Sequence, residues 1–262
     1  MDGGEAALSC AKVGYRFRRV FGQAWKLAPT TMSVKEKFVA GVWIAMPAYN
    51  EGRRIGRTLD SLTAYLPNVA VVDDGSADDT FAVASAHRVH VLRHLINLGQ
   101  GAALQTAISY ALAQSADYIV TFDSDGQHGV ADIERMLEPL RAGTAEIALG
   151  SRFLGSTVGI TRSRWLVLKL GVLFTRLFSR IRVTDTHNGF RALTRRAAEK
   201  INLTQNRMAH ASEILDQIQQ SGLPFVEVPV TIYYSEESFA KGQSSWNALK
   251  IVGQLLLGRI VR

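Results

Sequence analysis

The sequence predicts an α/β fold built on a mostly parallel sheet with helices on its sides. Five short apolar runs, at 41–46, 69–73, 89–93, 117–122 and 145–149, have the length of buried strands. Stretches with helical character separate these runs, as connections between parallel strands require. The chain has 262 residues with 47% hydrophobic content, which is enough for one large domain with a substantial core.

The segments between the strands have recognisable helix patterns. Ile55, Leu59 and Leu62 recur at helical spacing and predict the first helix. Ser76, with Asp79 three residues later, predicts a capping box at the start of the second. The run from Asn97 to Gly101 opens an Ala-rich helix that continues through Ala111. Its glycines permit either a close backbone approach or an ordinary turn.

Asp123-Ser124-Asp125-Gly126-Gln127-His128 places two carboxylates one residue apart, directly after an apolar run. Two such groups repel each other in a poorly solvated site unless a cation neutralises them. Oxygen ligands of this kind suit Mg²⁺ or Mn²⁺. The alternative is an acidic β-turn, because Asp, Ser and Gly are common turn residues.

Two further polar clusters follow apolar runs. One extends from Met46 to Glu51 and the other from Asp73 to Thr80. In an open parallel sheet, ligands bind outside the carboxyl ends of the strands. The three clusters are therefore expected to converge on one crevice.

From residue 42 to residue 246 the sequence resembles inverting family-2 glycosyltransferases of the GT-A type, and among these the polyprenyl-phosphate sugar transferases such as dolichol-phosphate mannose synthase. The resemblance rests on motifs in a fixed order: Pro-x-Tyr-Asn-Glu at 47–51, Asp-Asp-Gly-Ser at 73–76, Asn-Leu-Gly-Gln-Gly at 97–101, Asp-x-Asp-Gly-Gln-His at 123–128, Gly-Ser-Arg at 150–152, Asp-Thr at 185–186, Gly-Phe-Arg at 189–191 and Gly-x-Ser at 242–244. It implies a Rossmann-like nucleotide-sugar-binding sheet.

The resemblance also implies a set of site residues. The metal ligands would be Asp123, Asp125 and Gln127, with Mg²⁺ or Mn²⁺ as the cofactor. The donor, a UDP- or GDP-sugar, would contact these three residues together with Pro47, Tyr49, Glu51, Asp74, Asn97, Ser124, Arg152 and Lys241. For Asp74, a plain turn role remains open because Gly75 and Ser76 follow it.

Asp125, Arg152, Arg191 and Glu213 are the candidate catalytic residues. A guanidinium offers a planar, charged fork to phosphate oxygens, although Arg191 could instead form an ion pair with Asp185. Glu213 would serve as a base for a hydroxyl acceptor, or it is simply an exposed helix residue. Ile214 follows it where sugar-acceptor enzymes often have Asp. The chain also lacks the usual Lys after Gly242-Gln243-Ser244, and Lys241 is either its substitute at the diphosphate or an ordinary solvated lysine.

The net charge of +7 and the pI near 9.7 imply acidic partners. Residues 157–183 combine six basic residues with many apolar ones and include no acidic residue, which predicts an amphipathic helix on an anionic membrane surface or a helix packed on the domain. Residues 1–40 predict a basic amphipathic extension, and residues 236–262 a flap loop with a C-terminal amphipathic helix. No recognised nucleic-acid-binding motif accompanies the charge.

The predicted organisation is therefore a catalytic domain at 41–235 between these two segments. One cysteine, no signal-peptide pattern and no long apolar run favour a cytoplasmic protein, peripheral on the cytoplasmic face of a membrane. The expected activity is transfer of a hexose to a polyprenyl phosphate in cell-envelope glycan synthesis. The alternatives are transfer to a sugar hydroxyl and a non-catalytic sugar-nucleotide-binding subunit of a complex with an integral membrane partner.

Overall fold

A computed structural model describes residues 39, 41–161, 165, 168–169, 172, 181–205 and 209–234. Several expectations lie outside these residues: the extension at 1–40, most of the amphipathic segment at 157–183, and the flap loop and terminal helix at 236–262 with Lys241. Within the described part, no helix is both long and apolar enough to cross a membrane.

The described residues form one mixed sheet of seven strands in the spatial order β3-β2-β1-β4-β6-β5-β7. The strands are β1 (Val42–Ala48), β2 (Val69–Asp73), β3 (His90–Arg93), β4 (Tyr118–Thr121), β5 (Ile147–Val158), β6 (Arg191–Thr194) and β7 (Phe225–Tyr233). The β1, β2, β3 and β4 strands are parallel to one another, whereas β6 is antiparallel to both of its neighbours. The α/β, mostly parallel sheet predicted from the sequence is confirmed.

Six helices accompany the sheet in the described ranges. They are α1 (Gly52–Ser61), α2 (Thr80–Ser85), α3 (Gln100–Ala113), α4 (Asp132–Arg141), α5 (Arg195–Ala198) and α6 (Ala209–Ser221). All seven residues of β1 are buried, as expected of a parallel strand covered on both faces. On one face, Trp43 and Ala45 pack in a core with Ala107 and Ile108 of α3 and with Ile214 of α6.

The five predicted strands are all present, and the ends of β1 to β4 agree with the prediction to within two residues. The structure adds β6 and β7 and extends β5 well beyond the predicted run. The predicted capping box is wrong, because Thr80 at the start of α2 donates its N–H to Asp78 Oδ1 (3.0 Å) and Ser76 Oγ instead accepts the N–H of Asn50 (2.9 Å). Ser76 thus links the turn after β2 to the turn after β1.

The start of α3 is packed against the segment that leads into α6. A Cβ atom on Gly101 would lie 2.3 Å from the carbonyl oxygen of Gln205 and 2.9 Å from Cβ of His210. Gln105, one turn further along α3, accepts the N–H of Leu203 through its Oε1 (2.8 Å). The close approach permitted by a glycine in this motif is therefore real.

We expect Gly101→Ala to destabilise the protein by about 1–3 kcal/mol, because the obstructing atoms include backbone that cannot turn aside. The free energy of unfolding from urea denaturation measures the effect. Gly56→Ala in α1 is the matched control, since its Cβ would meet side-chain atoms alone, a methyl of Val83 at 3.3 Å and Cε1 of His87 at 3.9 Å. Equal stability of the two variants would contradict the close packing of α3 on residue 205.

Candidate active site

An open cavity of about 500 Å³ lies at the carboxyl ends of β1, β2 and β4. Parallel strands that end together bring the turns that follow them to one place. Its lining comprises residues 47–49, 51, 74, 97, 99, 100, 103, 123–125, 187, 189, 191, 210 and 211. The three polar clusters predicted from the sequence therefore meet in one cavity.

The turn after β1 supplies Pro47, Tyr49 and Glu51. It is held from below by the turn after β2: Glu51 donates its N–H to Thr80 Oγ1 (2.8 Å), and Asn50 Oδ1 accepts the N–H of Ala77 (3.0 Å). The Glu51 carboxylate pairs with Arg54 (2.7 Å). Tyr49 is 47% exposed, so its ring is an open face at the cavity wall.

Asp74 fixes the loop between β3 and α3. Its Oδ1 accepts the N–H of Leu98 (2.9 Å), its Oδ2 accepts the N–H of Gly99 (2.7 Å), and Nδ1 of His94 lies 2.7 Å from Oδ1. Asp74 is buried, and the loop that it holds presents Asn97 to the cavity. The carboxylate therefore shapes the cavity wall, which is more than the plain turn role allowed by the sequence.

Asp123, Ser124 and Asp125 follow β4 directly. Ser124 is buried, and its hydroxyl donates to the carbonyl of Pro47 (3.0 Å), which ties the end of β4 to the end of β1. Asp125 accepts the side-chain N–H of Gln127 at Oδ2 (2.7 Å) and its backbone N–H at Oδ1 (3.0 Å). Gln127 therefore lies against Asp125 and does not itself line the cavity.

The pKa values of the two carboxylates are shifted in opposite directions. Burial raises the pKa of Asp125, and the charge of Asp123 raises it further. Burial alone would also raise the pKa of Asp123, but the hydrogen bond from His128 and the charge of Arg191 outweigh it and lower that pKa. Asp123 is thus the stable anion of the pair, and Asp125 carries the cost of their repulsion.

The pair fits a divalent cation. Among the described residues no group of three or more His, Cys, Asp or Glu side chains forms a complete metal cage. Mg²⁺ does not require one, because it is commonly held by one or two carboxylates together with water and substrate phosphates. A cation between Asp123 and Asp125 would relieve the repulsion that raises the pKa of Asp125.

Arg191 supplies a positive charge to the same cavity. It is the first residue of β6, its side chain is buried, and burial lowers its pKa to about 10 despite the charges of Asp123 and Asp185. Its backbone N–H donates to Thr121 Oγ1 (3.1 Å), but its guanidinium forms no hydrogen bond or ion pair with any described residue. The guanidinium is thus available to an anion in the cavity.

Arg152 is placed differently. Its Nε donates to Asp185 Oδ2 (2.6 Å) and its Nη1 donates to the hydroxyl of Tyr234 (2.5 Å), in a buried cluster outside the cavity lining. Burial would lower the pKa of Arg152, but the charge of Asp185 raises it. The ion pair with Asp185 that the sequence suggested for Arg191 is therefore formed by Arg152.

Known proteins are similar to this chain over the region that includes most of these motifs. The family model "Glycosyl transferase family 2" matches residues 43–201. The chain belongs to glycosyl transferase family 2. It is a glycosyltransferase with a GT-A-like α/β fold.

Two curated relatives are similar over most of their length. The UDP-N-acetylglucosamine–dolichyl-phosphate N-acetylglucosaminyltransferase of Methanococcus voltae is 30% identical over 82% of this chain and 95% of that protein. The polyprenol monophosphomannose synthase of Mycolicibacterium smegmatis is 31% identical over 77% of this chain and 81% of that protein. Among solved structures, glucosyl-3-phosphoglycerate synthase of Mycobacterium tuberculosis, crystallised with Mn²⁺, UDP and glucosyl-3-phosphoglycerate, has a TM-score of 0.59 at 20% identity over 79% of this chain and 77% of that chain, which supports the fold.

Several residues of this glycosyltransferase line the cavity without having been predicted from the sequence, among them His187, Gly189 and His210. Gly189 lies against Asp123. Gly189 was visible only as part of the motif at 189–191. The histidines have no metal-ligand spacing, so no sequence signal identified them.

Glu213 lies on α6 outside the cavity lining and holds the preceding loop. Its Oε1 accepts the N–H (3.0 Å) and the hydroxyl (2.6 Å) of Thr204, and its Oε2 accepts the N–H of Gln205 (2.9 Å). Slight burial would raise the pKa of Glu213, but these hydrogen bonds lower it. The structure thus gives the carboxylate a loop-holding position and does not bring it to the predicted site.

We expect Glu213→Gln in this glycosyltransferase to lower stability at pH 7 by about 1 kcal/mol, because the charged hydrogen bonds to Thr204 and Gln205 are weakened. The loss stays small because the partly exposed charge is screened by solvent. A depressed carboxyl pKa stabilises the fold above the unfolded-state pKa of about 4.3, and this contribution is lost as pH falls through the folded-state pKa. The stability gap between wild type and variant should therefore close in acid. Urea denaturation at pH 7 and at successively lower pH measures it.

Asp216→Asn on the same helix is the matched control for this experiment. Glycosyl transfer by Glu213→Gln should stay near that of the wild type. A large loss of turnover with unchanged stability would instead make Glu213 a base.

Proposed function

We propose that this glycosyltransferase moves a hexose from a UDP- or GDP-sugar to a polyprenyl phosphate, with inversion at the sugar and with Mg²⁺ or Mn²⁺ as cofactor, in cell-envelope glycan synthesis. The observation that carries the proposal is the arrangement of charges in the cavity. A carboxylate pair, Asp123 and Asp125, faces the same space as the guanidinium of Arg191, which has no partner in the described chain. A diphosphate with its cation complements both features at once, because phosphate oxygens suit the guanidinium and the cation suits the carboxylates.

The donor would lie with its nucleoside towards Tyr49, Asn97 and the loop held by Asp74. The open ring of Tyr49 offers a stacking face to a base. Asp123 and Asp125 would hold the cation, with Gln127 steadying Asp125 through its side-chain amide. When bound, the cation supplies Lewis-acid stabilisation of the negative charge that develops on the departing nucleoside diphosphate. Direct displacement from the opposite face inverts the anomeric configuration.

A phosphate acceptor suits this cavity because it is already ionised and needs no strong base. Glu213, the carboxylate expected to deprotonate a hydroxyl acceptor, engages Thr204 and Gln205 outside the cavity lining. The relatives from Methanococcus voltae and Mycolicibacterium smegmatis are named for dolichyl-phosphate and polyprenol-phosphate products or acceptors. No observation of the described chain favours the hydroxyl-acceptor alternative.

A lipid acceptor requires access to a membrane surface. The described part of the segment at 157–183 includes Trp165, which is 45% exposed, and Lys169, whose Nζ lies 4.1 Å from the ring centre of Phe153. Leu154 and Val158 of β5 are also exposed. Aromatic, apolar and cationic side chains together suit the interface of an anionic bilayer. We propose peripheral attachment there, on the cytoplasmic face.

The direct test is an incubation of the purified protein with Mn²⁺, UDP- and GDP-sugars and a short polyprenyl phosphate. Nucleoside diphosphate release and glycolipid formation are measured together. A glycolipid product identifies donor and acceptor class in one experiment. Nucleoside diphosphate release with no glycolipid from any donor would overturn the proposed acceptor.

Asp125→Asn should lower metal-dependent turnover by about 10²-fold or more, because a neutral amide no longer complements the cation. Stability should be unchanged or higher, since the repulsion with Asp123 disappears. Turnover with Mn²⁺ and thermal unfolding are measured side by side, and Asp60→Asn at an exposed position is the control. Wild-type turnover by the variant would refute the metal role of Asp125.

Arg191 and Arg152 should respond differently to replacement by Lys. Arg191→Lys should weaken UDP or GDP binding about tenfold, because a point charge replaces a fork that faces the cavity. Arg152→Lys should mainly cost stability, by about 1–3 kcal/mol, because Asp185 and Tyr234 lose buried hydrogen bonds. Calorimetric titration and urea denaturation separate the two effects. The reverse pattern would give the phosphate contact to Arg152, as the sequence first suggested.

A further inference from the structure

His128 is buried beside the carboxylate pair but does not line the cavity. Its side chain is 3% exposed, and its Nε2 lies 2.9 Å from Asp123 Oδ2. A carboxylate oxygen only accepts, so Nε2 carries the proton and donates it. Nδ1 is buried and has no hydrogen-bond partner among the described residues. Asp123 is therefore the hydrogen-bond partner of the imidazole among the described residues.

The ring of His128 is held in place from two directions. It packs against Phe122 and Phe190, with ring centres 5.3 and 5.0 Å away. The backbone at 127–128 is tied to β7 by a bridge between His128 and Ile232 and by the N–H of Tyr233, which donates to the Gln127 carbonyl (2.9 Å). Rotation of the imidazole away from Asp123 would break this packing, so Nε2 is a fixed donor.

Gly189 closes the other side of the same carboxylate. A Cβ atom at Gly189 would lie 2.6 Å from Asp123 Oδ2 and 3.0 Å from Oδ1, so only a glycine leaves room for this carboxylate. Oδ2 in addition accepts the hydrogen bond from His128. Oδ1 has a weaker contact, with Gln100 Nε2 at 3.4 Å, and Gln100 itself lines the cavity. Oδ2 is therefore the oxygen that His128 holds, whereas Oδ1 is the oxygen near the cavity residue Gln100.

We propose that His128 is a positioning residue that holds Asp123 in the orientation required for cation binding. The inference rests on the proposed metal role of Asp123 and Asp125. Two anions one residue apart favour any rotation that separates them, and an unrestrained Asp123 would turn away from Asp125. The hydrogen bond from Nε2 opposes that rotation, so the pair is assembled before the cation arrives. Partners of metal-binding carboxylates commonly have this effect on metal affinity.

Packing alone does not account for a histidine here. Phenylalanine would present a ring to Phe122 and Phe190 without leaving a buried Nδ1 unpaired. A packing role and a positioning role therefore predict opposite rankings of two substitutions. His128→Phe keeps the ring and loses the donor, whereas His128→Gln loses the ring and keeps an N–H donor near the position of Nε2.

The test measures Mn²⁺ binding in the presence of UDP or GDP, by calorimetric titration and by the electron paramagnetic resonance signal of free Mn²⁺, together with thermal unfolding. We expect His128→Phe to lower Mn²⁺ affinity about 10–100-fold with an unfolding temperature equal to or above that of the wild type. His128→Gln should retain Mn²⁺ affinity to within a few fold. His128→Leu, which also lacks a donor, replaces the Phe variant if that protein does not fold.

Combining His128→Phe with Asp123→Asn tests the coupling. If His128 acts through Asp123, the double variant should bind Mn²⁺ no more weakly than Asp123→Asn alone. Wild-type Mn²⁺ affinity in His128→Phe would overturn the proposal, as would Mn²⁺ affinities that follow unfolding temperature across the three variants. Full Mn²⁺ binding by both Asp123→Asn and Asp125→Asn would instead refute the assignment of the metal site to these two residues. This outcome distinguishes failure of the proposed function from failure of the positioning role alone.

Discussion

The repulsion between Asp123 and Asp125 is the constraint around which the cavity is organised. Two carboxylates at the end of a buried strand cannot both ionise without a free-energy cost, and burial first and the charge of Asp123 second raise the pKa of Asp125. The surroundings stabilise one member of the pair: His128 donates to Asp123, and Arg191 adds positive charge. The site is thus an anionic pair held in place, as the proposed cation site requires.

The mixed topology of the sheet brings these charges together. Because β1 and β4 are parallel, the turn with Tyr49 and Glu51 lies beside the turn with Asp123. Because β6 is antiparallel to β4, it begins where β4 ends, and Arg191 pairs in register with Thr121. An all-parallel arrangement would place the start of that strand at the far edge of the sheet. The antiparallel strand therefore places Arg191, and the Gly189 that precedes it, beside the end of β4 and Asp123.

Apolar runs and turn residues in the sequence predicted the first five strands and the polar turns that follow three of them. The β2 strand was predicted at its observed bounds, and the turns after β1, β2 and β4 were predicted to converge. The four-residue β6 was missed because its stability comes from pairing with β4 and β5. The partner of Arg152 was missed for a similar reason: Asp185 lies 33 residues away, and only the packed structure shows that it pairs with Arg152 instead of Arg191. Charge type can be read from sequence, but the choice between two arginines depends on tertiary contacts.

Several costly features gather within this one site. Arg191 is buried with no hydrogen bond from its guanidinium to the described chain, and the buried nitrogens Nδ1 of His128 and Nδ2 of Asn188 also have no partner there. Each lowers stability, and a protein under selection for stability alone would replace them with apolar or paired groups. The proposed donor and cation would offset two of these costs together, since a diphosphate would complement Arg191 and a cation would complement the carboxylate pair. Binding would thereby recover free energy, so the groups that weaken the free protein would provide its affinity for a charged substrate.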